Sequence, residues 1–251
     1  PRIDSMVAGR LTRVLLTAVA ISITGCQAQP MSNDAFANST LEPLANAVSS
    51  GDVAEIKRQL ATVHPDTPGQ DGATLLLAAI GAENLSATRT LLDGGADPNR
   101  PGAGGETPMQ AAAFVADPAF LQAVLAHGGD PDSRNPVTGA TPLARALLGP
   151  HPDNVRLLLD AGANPQLADN NADLPLHVAA RTNCGPGILM LLEAGASPTA
   201  VNASGASFQA YYFSYPPRNV LNERALTERR QVVAWLKSHG VPLEANVGAD
   251  Y

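Results

Sequence analysis

Aromatic side chains are scarce in this 251-residue sequence: one Trp, four Tyr and five Phe make up 4% of it. Large rings usually fill deep globular cores. With 45% of residues apolar but so few rings, the core must consist of thin layers of small and branched side chains, as in helix-on-helix packing repeated along an axis. Positive charge is also in deficit, with 16 basic residues against 23 acidic ones. An acidic, aromatic-poor surface binds nucleic acid badly and favours a basic partner. Only two cysteines are present, Cys26 and Cys184. There is no Cys pair and no His-x-x-x-His pattern to hold a metal, and Gly102-Ala103-Gly104-Gly105 lacks the Lys-Ser/Thr that completes a phosphate loop.

The N-terminal stretch reads as a targeting segment. Met6 is the expected start, Arg10 and Arg13 form a positive n-region, and the apolar run 14–23 that follows is too short to span a bilayer. Ile23-Thr24-Gly25-Cys26 resembles a bacterial lipobox. The resemblance implies a signal peptide over 6–25, cleavage before Cys26, lipidation of Cys26 and anchoring in the periplasm. Gln27 in place of Asp implies the inner leaflet of the outer membrane. Loss of 1–25 removes three arginines and one aspartate, leaving 13 basic and 22 acidic residues. Cys184 is then the one free thiol, so the fold stands on packing alone. Residues 26–40 read as the lipidated cysteine and a flexible tether.

An internal period follows. Gly95-Ala96-Asp97-Pro98, Gly128-Gly129-Asp130-Pro131, Gly162-Ala163-Asn164-Pro165 and Gly195-Ala196-Ser197-Pro198 recur every 33 or 34 residues. A second mark keeps the same phase, at Thr74-Leu75-Leu76, Thr107-Pro108-Met109, Thr141-Pro142-Leu143 and Leu174-Pro175-Leu176-His177. Each lies 23 residues before its Asp, Asn or Ser. Leu91-Leu92, Val124-Leu125, Leu157-Leu158-Leu159 and Leu191-Leu192 fall between them at matching offsets.

These residues resemble the ankyrin repeat, and 174–180 match its consensus best. The Thr caps a first helix and Pro occupies its first turn. The Leu pair fills the interlayer core, and the Gly ends a second helix in the left-handed conformation. The expected fold is an all-α solenoid of about six helix-turn-helix repeats with projecting finger loops. It spans 41–243, divided at 41–70, 71–103, 104–137, 138–170, 171–203 and 204–243, with a C-terminal tail over 244–251. The first repeat is degenerate, as a terminal cap needs to be. The last holds a 12-residue insertion, with Ser207 lying 35 residues before Pro242.

No residue set reads as catalytic, and no cofactor is expected. His177 holds the consensus histidine position, His127 and His239 precede the glycine that ends a second helix, and His64 and His151 suggest no ligand set. Cys184 precedes Gly185-Pro186-Gly187 without a neighbouring base, so it reads as a partly buried small residue, with pairing between chains as the alternative. Residues 162–173 are rich in Asx but lack the Glu of a calcium loop. Half the aromatic residues cluster at Phe208, Tyr211, Tyr212, Phe213 and Tyr215, near the basic residues Arg224, Arg229, Arg230 and Lys237. That region reads either as a binding patch or as a C-terminal cap.

What the resemblance implies for function is protein binding without catalysis, by a chain that is monomeric when free. In ankyrin proteins the fingers and first helices form a concave binding face. Here that face would include Arg100, Glu106, Gln110, Phe114, Arg134, Asn135, Arg145, Asp169, Asn171 and Asp173, closed at one end by Tyr212 and Tyr215. It is expected to be acidic and to take a partner with a basic surface. Exported ankyrin lipoproteins resemble immunity proteins against antibacterial phospholipase effectors. The alternative is an envelope-stress accessory supporting a periplasmic enzyme such as catalase.

Overall fold

The computed structural model describes residues 33–149 and 151–248. Cys26 and the targeting segment lie outside the described residues. Within them, twelve α-helices form six pairs. These are α1 (Glu42–Ser50) with α2 (Val53–Leu60), α3 (Leu75–Gly81) with α4 (Leu85–Asp93), and α5 (Pro108–Phe114) with α6 (Pro118–Ala126). They continue as α7 (Pro142–Ala146) with α8 (Pro152–Asp160), α9 (Pro175–Arg181) with α10 (Gly185–Glu193), and α11 (Phe208–Tyr212) with α12 (Glu223–Ser238). The first helices stack on one another from α1 to α11, and the second helices from α2 to α12. The fold is the all-α ankyrin solenoid that the period implies.

The marks in the sequence act as expected. The side chains of Thr74, Thr107, Thr141 and Ser207 each accept backbone N–H groups of their first helix, which satisfies donors that the helix itself leaves open. At the other end, Gly95, Gly128, Gly162 and Gly195 have φ of 85–89°. That left-handed turn lets the following N–H groups of Ala96, Gly129, Ala163 and Ala196 donate back to Leu91, Val124, Leu158 and Leu191. Ile56, Leu91, Val124, Leu158, Leu191 and Leu236, one from each second helix, are fully buried and run through the core as a single ladder.

The finger loops repeat one closure. The N–H groups of Gly69, Gly102, Asn135, Asp169 and Asn202 donate to the carbonyls of Ala73, Glu106, Ala140, Asp173 and Ala206. Neighbouring fingers are joined by side chains. Asp66, Asn99, Asp132 and Gln166 accept the backbone N–H of Asp97, Asp130, Asn164 and Ser197 in the next repeat.

Two expectations change at the ends of the stack. The segment read as a tether is folded from Asn33 onward: Asn33–Phe36 is a 3-10 helix and Phe36 is fully buried. Its ring occupies the space beside Gly69, where a Cβ would approach Phe36 Cε1 to 2.6 Å. At the other end, the basic residues around the insertion do not form one basic patch. Arg229 is fully buried, with its guanidinium 5.3 Å from the centre of the Tyr212 ring. It donates to Pro216 O at 2.9 Å and Asn183 Oδ1 at 3.3 Å. Arg224 is paired with Glu228. The long final helix begins at Glu223 and runs 16 residues, and Arg218–Val220 is a separate 3-10 turn.

Candidate partner-binding face

The fingers and first helices carry the residues expected to choose a partner, and the structure groups some of them while withdrawing others. Glu106, one residue before the capping Thr107, forms an ion pair with Arg145 of α7 at 2.8 Å. The Arg145 guanidinium lies 4.6 Å from the centre of the Phe114 ring. A carboxylate, a guanidinium and a ring thus clasp the third repeat to the fourth.

The same clasp recurs two repeats further on. Asp173, one residue before Leu174, pairs with Arg181 at 2.7 Å, and the Arg181 guanidinium lies 5.6 Å from the Tyr211 ring centre. Asn202 donates through Nδ2 to both Asp173 Oδ1 and Tyr211 Oη. Hydrogen bonds from Ser204 and Asn202 lower the Tyr211 pKa. Counted from the caps, Phe114 and Arg181 are both seventh residues, whereas Arg145 and Tyr211 are both fourth residues of the following repeat. Cation and ring have exchanged places, and the contact survives because either order brings guanidinium to aromatic face.

Gln110 and Tyr212 are withdrawn from the face. Gln110 is buried: its Oε1 accepts the N–H of Thr107 and its Nε2 donates to Ala140 O. Tyr212 is fully buried against Phe213 and Arg229. Both were expected as partner contacts; one is a joint between repeats and the other belongs to the C-terminal cap. Asp173 is also buried, its oxygens taken by Arg181 and Asn202. Asp169 is half-buried and accepts the N–H groups of Asn171 and Asp173 within its own finger.

The remaining residues shape the fingers. Arg134 donates to Gly139 O and Ala168 O, tying one finger to the next. Asn135 accepts the N–H groups of Val137 and Thr138 and donates to Gly104 O. Asn171 is exposed at a fingertip, Arg100 is half-buried in the second finger, and Tyr215 is 74% exposed.

The fingers and first helices carry Glu42, Asp66, Asp71, Asp97, Glu106, Asp130, Asp132, Asp169 and Asp173 against Arg100, Arg134, Arg145 and Arg181. Acidic residues therefore outnumber basic ones on this face, and Glu106, Asp132, Asp169 and Asp173 are each engaged in an internal hydrogen bond or ion pair. The second helices are close to neutral, with Glu55, Asp93, Asp153, Asp160, Glu193, Glu223 and Glu228 against Lys57, Arg58, Arg89, Arg156, Arg224, Arg229, Arg230 and Lys237.

Sequence reasoning missed Arg181 and Asn202, and placed Tyr211 only in the aromatic cluster of the last repeat. The signal was present in the period, since Arg181 and Tyr211 fall at the repeat positions of Phe114 and Arg145. Among the described residues, no three His, Cys, Asp or Glu side chains group as metal ligands.

The repeat geometry defines an ankyrin-type solenoid, and residues 109–202 match the family model described as Ankyrin repeats (3 copies). Such repeats imply a protein-binding module, a scaffold that is typically not catalytic. Among relatives, the chain is 37% identical to "Protein PhlB" of Serratia liquefaciens over 56% of its own length and 62% of that protein. It is 52% identical to "Protein fem-1 homolog A" of Bos taurus over 20% of the chain and 8% of that protein. It is 28% identical to "E3 ubiquitin-protein ligase KEG" of Arabidopsis thaliana over 81% of the chain and 14% of that protein. The chain therefore spans less than two thirds of each of these relatives.

Proposed function

We propose that this chain is an exported, lipid-tethered binding module that restrains a protein partner through its finger face, as the immunity proteins it resembles do against phospholipase effectors. The observation that carries the binding surface is the pair of clasps. They fix Phe114, Arg145, Arg181 and Tyr211 in place before any partner arrives, so little side-chain entropy is lost on docking. Ring and guanidinium groups are also the types that most often anchor interfaces. The excess of acidic residues on the finger face attracts a basic partner at long range, while the contacts themselves come from the clasps.

The test is co-purification of the full chain with the product of the neighbouring gene, and protection of cells that express that product. Phe114→Ala and Tyr215→Ala should each weaken binding roughly tenfold or more, mainly through a faster off-rate. Arg156→Ala and Gln122→Ala on the second helices should leave it unchanged. Loss of binding confined to the second-helix changes would move the interface to the opposite face. Protection against peroxide in place of an effector would support the envelope-stress role.

A further inference from the structure

The solenoid departs from its period twice, and the two departures flank one cleft. The first helix α7 has five residues where α3, α5 and α9 have seven, so Leu147 and Leu148 leave the helix early. The insertion of the last repeat delays α12 until Glu223. Between them, at the turns joining first to second helices, lies a cleft of about 450 Å³. Leu147, Leu148, Pro152, Pro186 and Ala225 form its apolar wall, and Cys184 also borders it. Its size falls within the roughly 300–1,000 Å³ of sites that enclose a ligand-sized group.

We propose that this cleft binds a short, uncharged, apolar segment of the protein partner, as a second contact beyond the finger face. The proposal rests on the partner being a protein. Leu148 makes the two surfaces continuous. It stands seven residues after Thr141, the repeat position of Phe114 and Arg181, yet it is 50% exposed and lines the cleft. A segment lying across the clasps therefore reaches the cleft without leaving the face.

Charge decides the chemistry of the occupant. Arg224 is paired with Glu228 at the cleft rim, and the nearest clasp pairs Arg181 with Asp173. A charged occupant would lose hydration with each of these opposite charges already committed, which is unfavourable. An apolar segment gains from covering Leu148 and the proline-lined wall, while Thr182, Asn183 and Asn222 can meet its backbone at the edge.

Random dodecapeptides displayed on phage are the probe, selected on the full chain and counter-selected on the Ala225→Trp variant, whose indole would fill the cleft. The natural partner is not needed, so this assay can fail independently of co-purification. Recovered peptides should be rich in large apolar residues and carry no net charge. They should bind Ala225→Trp at least tenfold more weakly and slow alkylation of Cys184 by N-ethylmaleimide at least tenfold. Leu148→Asp, at a half-exposed position, serves the same purpose if the tryptophan disturbs folding. Charged peptides, equal binding to both variants, or an unprotected Cys184 would overturn the proposal. So would equal protection of Cys184 by a monomeric detergent, which would mark the cleft as a lipid site.

Discussion

His177 and Gln110 do one job with different chemistry. Each stands three residues after its cap position. His177 accepts the N–H of Leu174 at Nδ1 and reaches Ala206 O with Nε2, while Gln110 accepts the N–H of Thr107 and donates to Ala140 O. The histidine can do this only when neutral, because protonation removes the acceptor. Burial lowers its pKa, partly offset by Asp173 nearby. With the folded value depressed, the unfolded chain binds more protons as the pH drops below about 6.5. The stability tied to His177 is therefore complete above that pH and declines as the pH falls towards the folded value. His177→Gln should restore the Gln110 arrangement and remove this part of the decline. Unfolding midpoints of both proteins between pH 8 and pH 5 measure the difference, which isolates His177 from the other histidines. Parallel curves would show that the joint does not titrate in this range. The clasps allow a similar test: in a double-mutant cycle of Glu106→Ala and Arg145→Ala, the part-buried pair should couple by ~1 kcal/mol.

At the scale of helices, much of the architecture was legible. Thr-Pro placed the starts of α5 and α7, and the terminal glycines placed the ends of the second helices, because each residue type satisfies a backbone group that few others can. What escaped depended on contacts between distant elements. Phe36 is a lone ring in a polar stretch, and nothing local shows that a space beside Gly69 receives it. Gln110 reads as a polar surface residue until the next finger brings Ala140 O within reach. Composition gave the acidity of the chain without saying which carboxylates, such as Glu106 and Asp173, are committed internally. For the second-helix core, Leu158→Ala and Leu191→Ala remove fully buried side chains, so each should cost about 2–5 kcal/mol. Solenoid repeats support their neighbours, so hydrogen exchange should quicken in the adjacent repeats as well. Near-neutral denaturation midpoints would contradict the core ladder.

For the whole molecule, the proposed lipid anchor and the folded N-terminal end set how the binding face is presented. Phe36 and the 3-10 helix at Asn33 close the first repeat, so the seven peptide units between Cys26 and Asn33 can reach at most about 25 Å. A chain acylated at Cys26 would hold its first repeat close to the bilayer, and two or three acyl chains contribute about 0.8 kcal/mol for each buried methylene, enough to keep it there. Cys26→Ala removes the acceptor thiol. It should yield an unacylated, poorly processed protein, and globomycin should make the wild type accumulate as precursor. Membrane fractionation, with mass spectrometry of the N-terminal peptide, distinguishes these states. Unchanged processing in both cases, with the protein free in the periplasm, would exclude the anchor. The finger face is untouched by that change, so the purified Cys26→Ala chain should bind its partner with unaltered affinity. Its protection of cells should nevertheless fall if restraint depends on meeting the partner beside the membrane. Retained protection would make binding alone sufficient.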